Sequence, residues 1–210
     1  MDSLNRLPKQ SESGESLARD ALTFKPLTSG EWPDFTRLFE EHEIQNGCWC
    51  MYWRTARAAC HHGFGDENKR AFQAIVDSGR VPGILAYLRG QPVAWCSVAP
   101  RADFPVLERS RTLKPVDNLP VWSITCFFVS KPFRRQGLTE ILIQEAVQYA
   151  SEQGARIIEA YPLRTEITKL LPYERYMGIQ STFERAGFVE VARRSERRPI
   201  LRFYVNKSEC

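Results

Sequence analysis

What the 210-residue sequence lacks narrows it first. No apolar run approaches the roughly 18 residues that a membrane-spanning helix needs. The first twenty residues, MDSLNRLPKQSESGESLARD, have no apolar centre of the kind a secretory signal carries. The expectation is a cytoplasmic protein with no membrane partner. Excess charge of one sign is scarce as well: 29 Lys and Arg stand against 25 Asp and Glu, a net of +4. That is too little for the continuous basic stripe of a nucleic-acid binder, so no nucleic-acid partner is expected, yet anionic small ligands stay compatible. There is no internal repeat. The 43% share of hydrophobic residues is that of an ordinary globular domain and excludes a disordered acidic chain.

A disulfide framework is not expected either. Six cysteines are present, at Cys48, Cys50, Cys60, Cys96, Cys126 and Cys210, but without a signal peptide the even count carries no pairing. Cys96 and Cys126 sit inside apolar runs, VAWCSV and SITCFFV, where a reduced thiol acts as a small hydrophobe. Cys48, Cys50, Cys60, His61 and His62 form the one cluster that suggests a metal, but C-x-C followed nine residues later by C-H-H matches no usual zinc spacing. A reduced, aromatic-rich wall is the reading there, with no metal.

What is present reads as a tail over residues 1–20 and a single domain over 21–206. A short strand is expected at Ala21–Leu27. From Thr28 to about Glu43 the capping-box spacing of Thr28 and Glu31 and the recurrence of Trp32, Phe35, Leu38 and Phe39 predict a helix. Asn68–Ser78 predicts a second helix, burying Ala71, Phe72, Ile75 and Val76. The period then changes: Pro82–Leu88 and Pro92–Ala99 read as a hairpin turned by Arg89-Gly90-Gln91. A polar excursion, Pro100–Pro120, leads to the strand-like Val121–Ser130. Leu138–Gln153 is an amphipathic helix with Leu138, Ile141, Leu142 and Ala146 inward. A strand at Arg156–Tyr161, a short helix at Gly178–Ala186 and two strands within Val189–Val205 complete the order. Strands run consecutively in the middle, so the class is α+β with a mixed sheet.

The sharpest local pattern is VSKPFRRQGLTEILIQEA, Val129–Ala146. A buried strand ends, a basic turn with one glycine follows, and a helix starts at once. The N–H groups of Arg135, Gln136, Gly137, Leu138 and Thr139 then belong to a helix N-terminus, whose unpaired donors and dipole suit a phosphate. Gly137 allows close approach, and Lys131, Arg134 and Arg135 bring positive charge. The turn lacks the Gly-Lys-Ser/Thr ending of one nucleotide loop and the three glycines of another; a capped helix with solvated arginines is the bland alternative.

Val129-x4-Arg134-x2-Gly137-x-Thr139 resembles the coenzyme A pyrophosphate loop of the GNAT N-acetyltransferase superfamily, whose core reads R/Q-x-x-G-x-G/A. The element order from about Leu22 to Val205 is similar to that family's, and Phe183-Glu184-Arg185-Ala186-Gly187-Phe188 looks like the end of its fourth helix. The resemblance implies a mostly antiparallel central sheet flanked by helices. It implies acetyl-CoA as cosubstrate, and transfer of an acetyl group to a primary amine. Phe127, Phe128 and Val129, through their main chain, would join Arg134–Thr139 in holding the cofactor, with the strand around Cys126–Val129 splayed from Arg156–Tyr161. Two departures stand out: Thr139 replaces the usual Gly or Ala, and Phe183 occupies the helix position that often carries a tyrosine proton donor.

For the proton acceptor, Glu159 is the nearest carboxylate by sequence, with Glu108 as the other candidate and a solvent-facing strand residue as the plain alternative for Glu159. For the donor, Tyr173 and Tyr176 precede the last helix, and Tyr176 is the choice. The resemblance places Cys48, Trp49, Cys50, Tyr52 and Trp53 at the acceptor wall, with Trp49, Cys50, Tyr52 and Trp53 as candidate acceptor contacts. Arg193, Arg194, Arg197 and Arg198 either favour an acceptor carboxylate or phosphate or form a solvated turn. The partner expected is a small-molecule amine, and a homodimer is compatible with the sequence. The alternative of another class is a coenzyme A sensor or degenerate acetyltransferase, motivated by Phe183.

Overall fold

The structure, a computed structural model, describes residues 19–41, 47–164, 166 and 172–205, excluding the side chains of Arg57, His61, His62, Pro172 and Tyr173. The expected tail therefore lies outside the described residues except for Arg19 and Asp20. These form a 3-10 turn with Ala21, and Arg19 bonds Gln144 and Glu145.

Among the described residues, seven strands make one sheet. In chain order they are β1 (Leu22–Pro26), β2 (Gly83–Leu88), β3 (Gln91–Pro100), β4 (Trp122–Val129), β5 (Ile157–Ala160), β6 (Val189–Ala192) and β7 (Ile200–Tyr204). Their spatial order is β1-β2-β3-β4-β5-β7-β6, and every neighbouring pair is antiparallel except β4 with β5. The α+β reading with a mostly antiparallel mixed sheet holds. The β2–β3 turn is Arg89-Gly90, both residues at positive φ (51° and 78°), the two-residue geometry whose twist matches antiparallel strands.

The helices are α1 (Trp32–Glu40), α2 (Arg57–His62), α3 (Asp66–Asp77), α4 (Pro105–Glu108), α5 (Leu138–Glu152) and α6 (Gln180–Arg185). They divide the core between the two faces of the sheet. Leu138, Leu142, Ile143, Ala146 and Ala150 of α5 pack with Phe183 of α6 on Ala94, Cys96, Val98 and Ile124. On the other face Phe35, Leu38 and Phe39 of α1 and Phe72 and Val76 of α3 close over Leu85, Tyr87 and the fully buried Trp95. Aromatic contacts tie that layer: Phe35 meets Phe72 at 5.1 Å and Trp95 edge-on at 4.9 Å between ring centroids.

Three local expectations are corrected. Thr28 does not cap the first helix; its hydroxyl accepts from Gly30 N–H (3.2 Å) and bonds the Glu31 carboxylate, so α1 begins only at Trp32. Its expected end near Glu43 falls outside the described residues. Ala71 is exposed, because α3 turns Asn68, Phe72 and Val76 inward instead. The polar excursion is not all surface: it contains α4 and buries Phe104, Leu107 and Leu113 against Trp53, Ala99 and Tyr161.

Candidate active site

β4 has two unlike halves. Along its whole length it pairs with β3, from Trp122 opposite Pro100 to Val129 opposite Ala94. On its other edge it pairs with β5 only over Trp122–Ile124, opposite Ile158–Ala160. Beyond Ala160 the chain turns away, and Leu163 bridges Ile179. Among the described residues, no strand pairs with the β5-side edge of residues 125–129. An open main-chain edge of this kind accepts an extended ligand as an additional strand.

The open edge runs into the basic turn. Ser130 N–H bonds Val93 O (3.0 Å), and a 3-10 turn follows at Lys131–Phe133. The Arg134 side chain folds back, its Nε donating to Val129 O at 2.8 Å, while Gln136 Nε2 donates to Pro132 O at 2.8 Å. Arg135 and Gly137 both take positive φ (63° and 79°), which swings the chain into α5 with Gly137 as N-cap. Gly137 O then receives the first helical bonds from Glu140 and Ile141. Among the described residues, no backbone carbonyl accepts from the N–H groups of residues 135–139, so these donors converge on the helix entrance. A cleft of about 220 Å³ opens here, and its lining includes Val129, Arg134, Arg135, Gly137, Leu138 and Thr139. Glu140, Thr182 and Arg185 also line it, with Arg185 Nε on Glu140 Oε2 at 2.8 Å. Phe127 is buried against Phe183 (5.9 Å between rings), and Phe128 lies half-buried beside Phe39 (5.6 Å). Both side chains therefore pack while their main chain stays on the open edge.

The chain matches the family model described as acetyltransferase (GNAT) family over residues 31–178. It belongs to the GNAT acetyltransferases. Solved structures of the same fold include a GNAT-family acetyltransferase from Listeria monocytogenes (12% identity, TM-score 0.55, covering 88% of this chain and 95% of that one). A second is a GNAT-family acetyltransferase described as putative from Desulfovibrio desulfuricans (17%, 0.52, 89% and 100%). A third is the PaiA N-acetyltransferase of Thermoplasma acidophilum in complex with coenzyme A (10%, 0.50, 88% and 99%). A comparison with curated proteins by sequence finds no match. As a GNAT protein the chain is an acetyl-CoA-dependent acyltransferase.

On the opposite face of the GNAT sheet, the segment from Gly47 to Arg54 folds under the splayed half of β4. Gly47 (φ 61°) lies so close to Gly65 that a Cβ there would sit 2.2 Å from Gly65 N, which pins the segment to the start of α3. Trp49 packs in the aromatic layer, 5.5 Å from Phe39, and Trp53 is buried beside Phe104 and Leu107. Cys50 and Tyr52 remain half-buried. Tyr52 meets Trp53 edge-on at 5.0 Å and Tyr176 at 6.2 Å. Tyr176 stands in a 3-10 turn, Pro172–Met177, that packs against β4, with the Arg198 guanidinium 5.6 Å from its ring centre. Burial raises the Tyr176 phenol above its ordinary range, the nearby Arg198 opposing. Tyr52 and Tyr176 thus meet at a turn packed against β4, the strand that carries Cys126, whereas Trp49 and Trp53 serve the core. The Tyr173 side chain lies outside the described residues.

Glu159 occupies a different place. It is only 1% exposed, not the solvent-facing residue that its strand position allows. Its carboxylate accepts from Arg101 (3.0 Å), Arg202 (2.9 Å) and the Tyr161 hydroxyl (2.8 Å), and Tyr161 in turn bonds Ser123 (2.8 Å). Arg101 continues to Glu108 (2.7 Å) and Leu113 O (2.7 Å), and Arg202 holds Asp117 through two bonds of 2.6 and 2.9 Å. Both carboxylate candidates therefore belong to one ion cluster that straps residues 101–117 to β5 and β7. The four arginines before β7 have protein partners as well, although Arg193 and Arg197 stay exposed. Arg193 pairs with Glu190, Arg194 bonds Lys114 O and Pro115 O, and Arg197 pairs with Glu174. Arg198 bonds Tyr161 O (2.9 Å) and Glu174 O (3.1 Å).

Thr182 and Arg185 were not singled out by the sequence. Their signal is weak: only the folding of α6 across the start of α5 brings them to the cleft, and one short helix carries no spacing that announces it.

Proposed function

We propose that this GNAT protein transfers the acetyl group of acetyl-CoA to the primary amine of a small molecule. The observation that carries the reading is the union of the open β4 edge with the donor-rich turn of residues 135–139. The fit is chemical: Arg134, Arg135, the left-handed Gly137, Leu138 and Thr139 border one cleft at the helix entrance, and its Glu140 is already paired with Arg185. Such a site suits a diphosphate. Phe127, Phe128 and Val129 would hold the pantetheine arm through their main chain, and Gln136, Leu138 and Thr139 complete the turn. When bound, acetyl-CoA supplies an activated acyl thioester.

The chain's own residues then have three tasks. Main-chain N–H groups near Phe127 polarise the thioester oxygen. Tyr176, whose phenol is still protonated at neutral pH, is placed to give its proton to the departing sulfur. Cys50 and Tyr52 wall the acceptor side and orient the amine, with Trp49 and Trp53 packed behind them. Glu159 we assign to bracing instead of proton transfer, because two guanidinium groups and a phenol already occupy its oxygens; a partly deprotonated amine can lose its proton to water.

The test is release of coenzyme A from acetyl-CoA across a panel of amines, amino acids, polyamines and peptide N-termini, beside calorimetric titration of coenzyme A. Release with small amines is expected. A response to polypeptides alone would refute the acceptor class, and tight coenzyme A binding with no release on any acceptor would favour a sensor.

A further inference from the structure

Three arginines, Arg134, Arg135 and Arg185, line the cleft at the entrance of α5, and among its lining residues Glu140 is the one carboxylate. That carboxylate works against a diphosphate site. Glu140 is the third residue of α5, where the helix dipole favours negative charge, and a diphosphate would bring the same charge to the same field. A bare Glu140 would therefore repel the ligand. It is not bare: Arg185 Nε, from α6, donates to Glu140 Oε2 at 2.8 Å. Among the described residues, no other cation pairs with Glu140; Arg134, which also lines the cleft, turns its Nε to Val129 O. The Arg185 side chain is 57% exposed and that of Glu140 31%, so solvent and ligand reach both. Thr182 and Arg185, one turn apart on α6, form its wall of the cleft. Between them Phe183 is fully buried against Phe127 and Phe188, which sets the helix in place.

We propose that Arg185 is a positioning residue for the cofactor: by neutralising Glu140 it keeps the helix entrance open to a diphosphate. It acts through Glu140 and not by touching the phosphates. The α6 helix, which contributes nothing to the donor-rich turn itself, thus sets cofactor affinity through charge. Both side chains meet solvent, so the repulsion that Arg185 suppresses is one that salt screens. The inference rests on the cofactor site proposed above and deepens it; it does not depend on which amine is the acceptor.

The experiment is calorimetric titration of coenzyme A into the full chain and its variants at about 0.05 M and about 0.5 M salt, where the Debye length falls from about 14 Å to about 4 Å. Arg185→Gln should bind about tenfold more weakly at the lower salt, and the ratio to the unaltered chain should shrink at the higher. Arg185→Lys, which keeps the charge, should stay within about twofold of the unaltered chain. Glu140→Gln should bind at least as tightly as the unaltered chain. The decisive variant combines Arg185→Gln with Glu140→Gln: its affinity should return to within about threefold of the unaltered value, the mark of two residues acting as one unit. A loss that persists in the double variant overturns the proposal, since Arg185 then acts without Glu140. So does weaker binding by Glu140→Gln alone, or a urea midpoint that drops in step with affinity. With an accepted amine, Arg185→Gln should raise KM for acetyl-CoA and spare kcat. If no amine is acetylated, the proposed reaction fails while the titrations still decide the role of Arg185. If the unaltered chain binds no coenzyme A, the cofactor site and this inference fall together.

Discussion

The two halves of β4 show how one strand can be both anchor and ligand surface. Over Trp122–Ile124 it is hydrogen-bonded on both edges, and beside it the Glu159 cluster fills the sheet face with charges paired to one another. Over residues 125–129 it keeps one partner, β3, and the edge facing β5 opens toward the cleft at Gly137. The first half is braced because its main chain has a partner strand on each edge. The second half is useful because one of its edges has none. The ion cluster ties β5 to β7 and to residues 101–117, away from the open edge.

Breaking the anchored half should have the largest effect. Glu159→Gln leaves Arg101 and Arg202 buried without their shared carboxylate, and removing one partner of a buried ion cluster costs about 3–5 kcal/mol. Urea denaturation should show a loss of that size. Where the variant stays folded, its affinity for coenzyme A should change by no more than about twofold, given how little unrelated sites couple. A large loss of affinity with unchanged stability would mean that the two halves do not divide their tasks.

Breaking the ligand half should do the opposite. Gly137→Glu forces a side chain onto a φ of 79° and sets a negative charge at the helix entrance. Coenzyme A affinity should fall about a hundredfold or more, the loss expected when charged hydrogen bonds are forfeited, with the circular dichroism spectrum retained. Normal affinity in the folded variant would contradict the loop assignment.

This division also explains what could be read from the residues alone. The strand VWSITCFFV, the hairpin at Arg89-Gly90 and the α5 helix were legible because local periodicity and turn chemistry point the same way as the final packing. The turn from Arg134 to Thr139 was legible because its spacing is contiguous in sequence. The ion cluster was not: Arg101, Asp117, Glu159, Tyr161 and Arg202 come from four separate segments, and nothing local tells a buried strand carboxylate from an exposed one. The same holds for the excursion after β3, whose scattered Phe104, Leu107 and Leu113 show no period although each is buried. Thr28 misled for a further reason. Its hydroxyl reaches the Glu31 carboxylate directly, and that local bond displaces the reciprocal cap.

Tyr176→Phe sharpens the comparison on the chemical side. It removes one oxygen that stands beside the open edge without touching the turn. The maximal rate should drop about tenfold to a hundredfold, toward the lower range for a general acid, while coenzyme A affinity stays unchanged. An unaltered rate would assign the proton to another donor.

The smallest effect belongs to the rim of the anchored half, and its pH dependence gives it a sign. Asp117 is held at about 2 because Arg202 donates two hydrogen bonds to it, helped by the Leu119 N–H. A carboxylate depressed on folding contributes stability above its unfolded value and loses it as pH falls toward the folded value. The unaltered protein should therefore shed this contribution between about pH 4 and pH 2. Asp117→Asn keeps the shape but not the charge, so it should be slightly less stable at neutral pH, and the gap should close as acid protonates the original carboxylate. Urea midpoints for both proteins at several pH values read this directly, and a gap that does not narrow down to about pH 2 would show that the charge of Asp117 is not its source. Because Arg202 retains Glu159 when Asp117 is neutralised, the loss stays well short of the one caused by Glu159→Gln. That ordering follows from burial: the inner carboxylate is 1% exposed, while the outer one shares its charge with water.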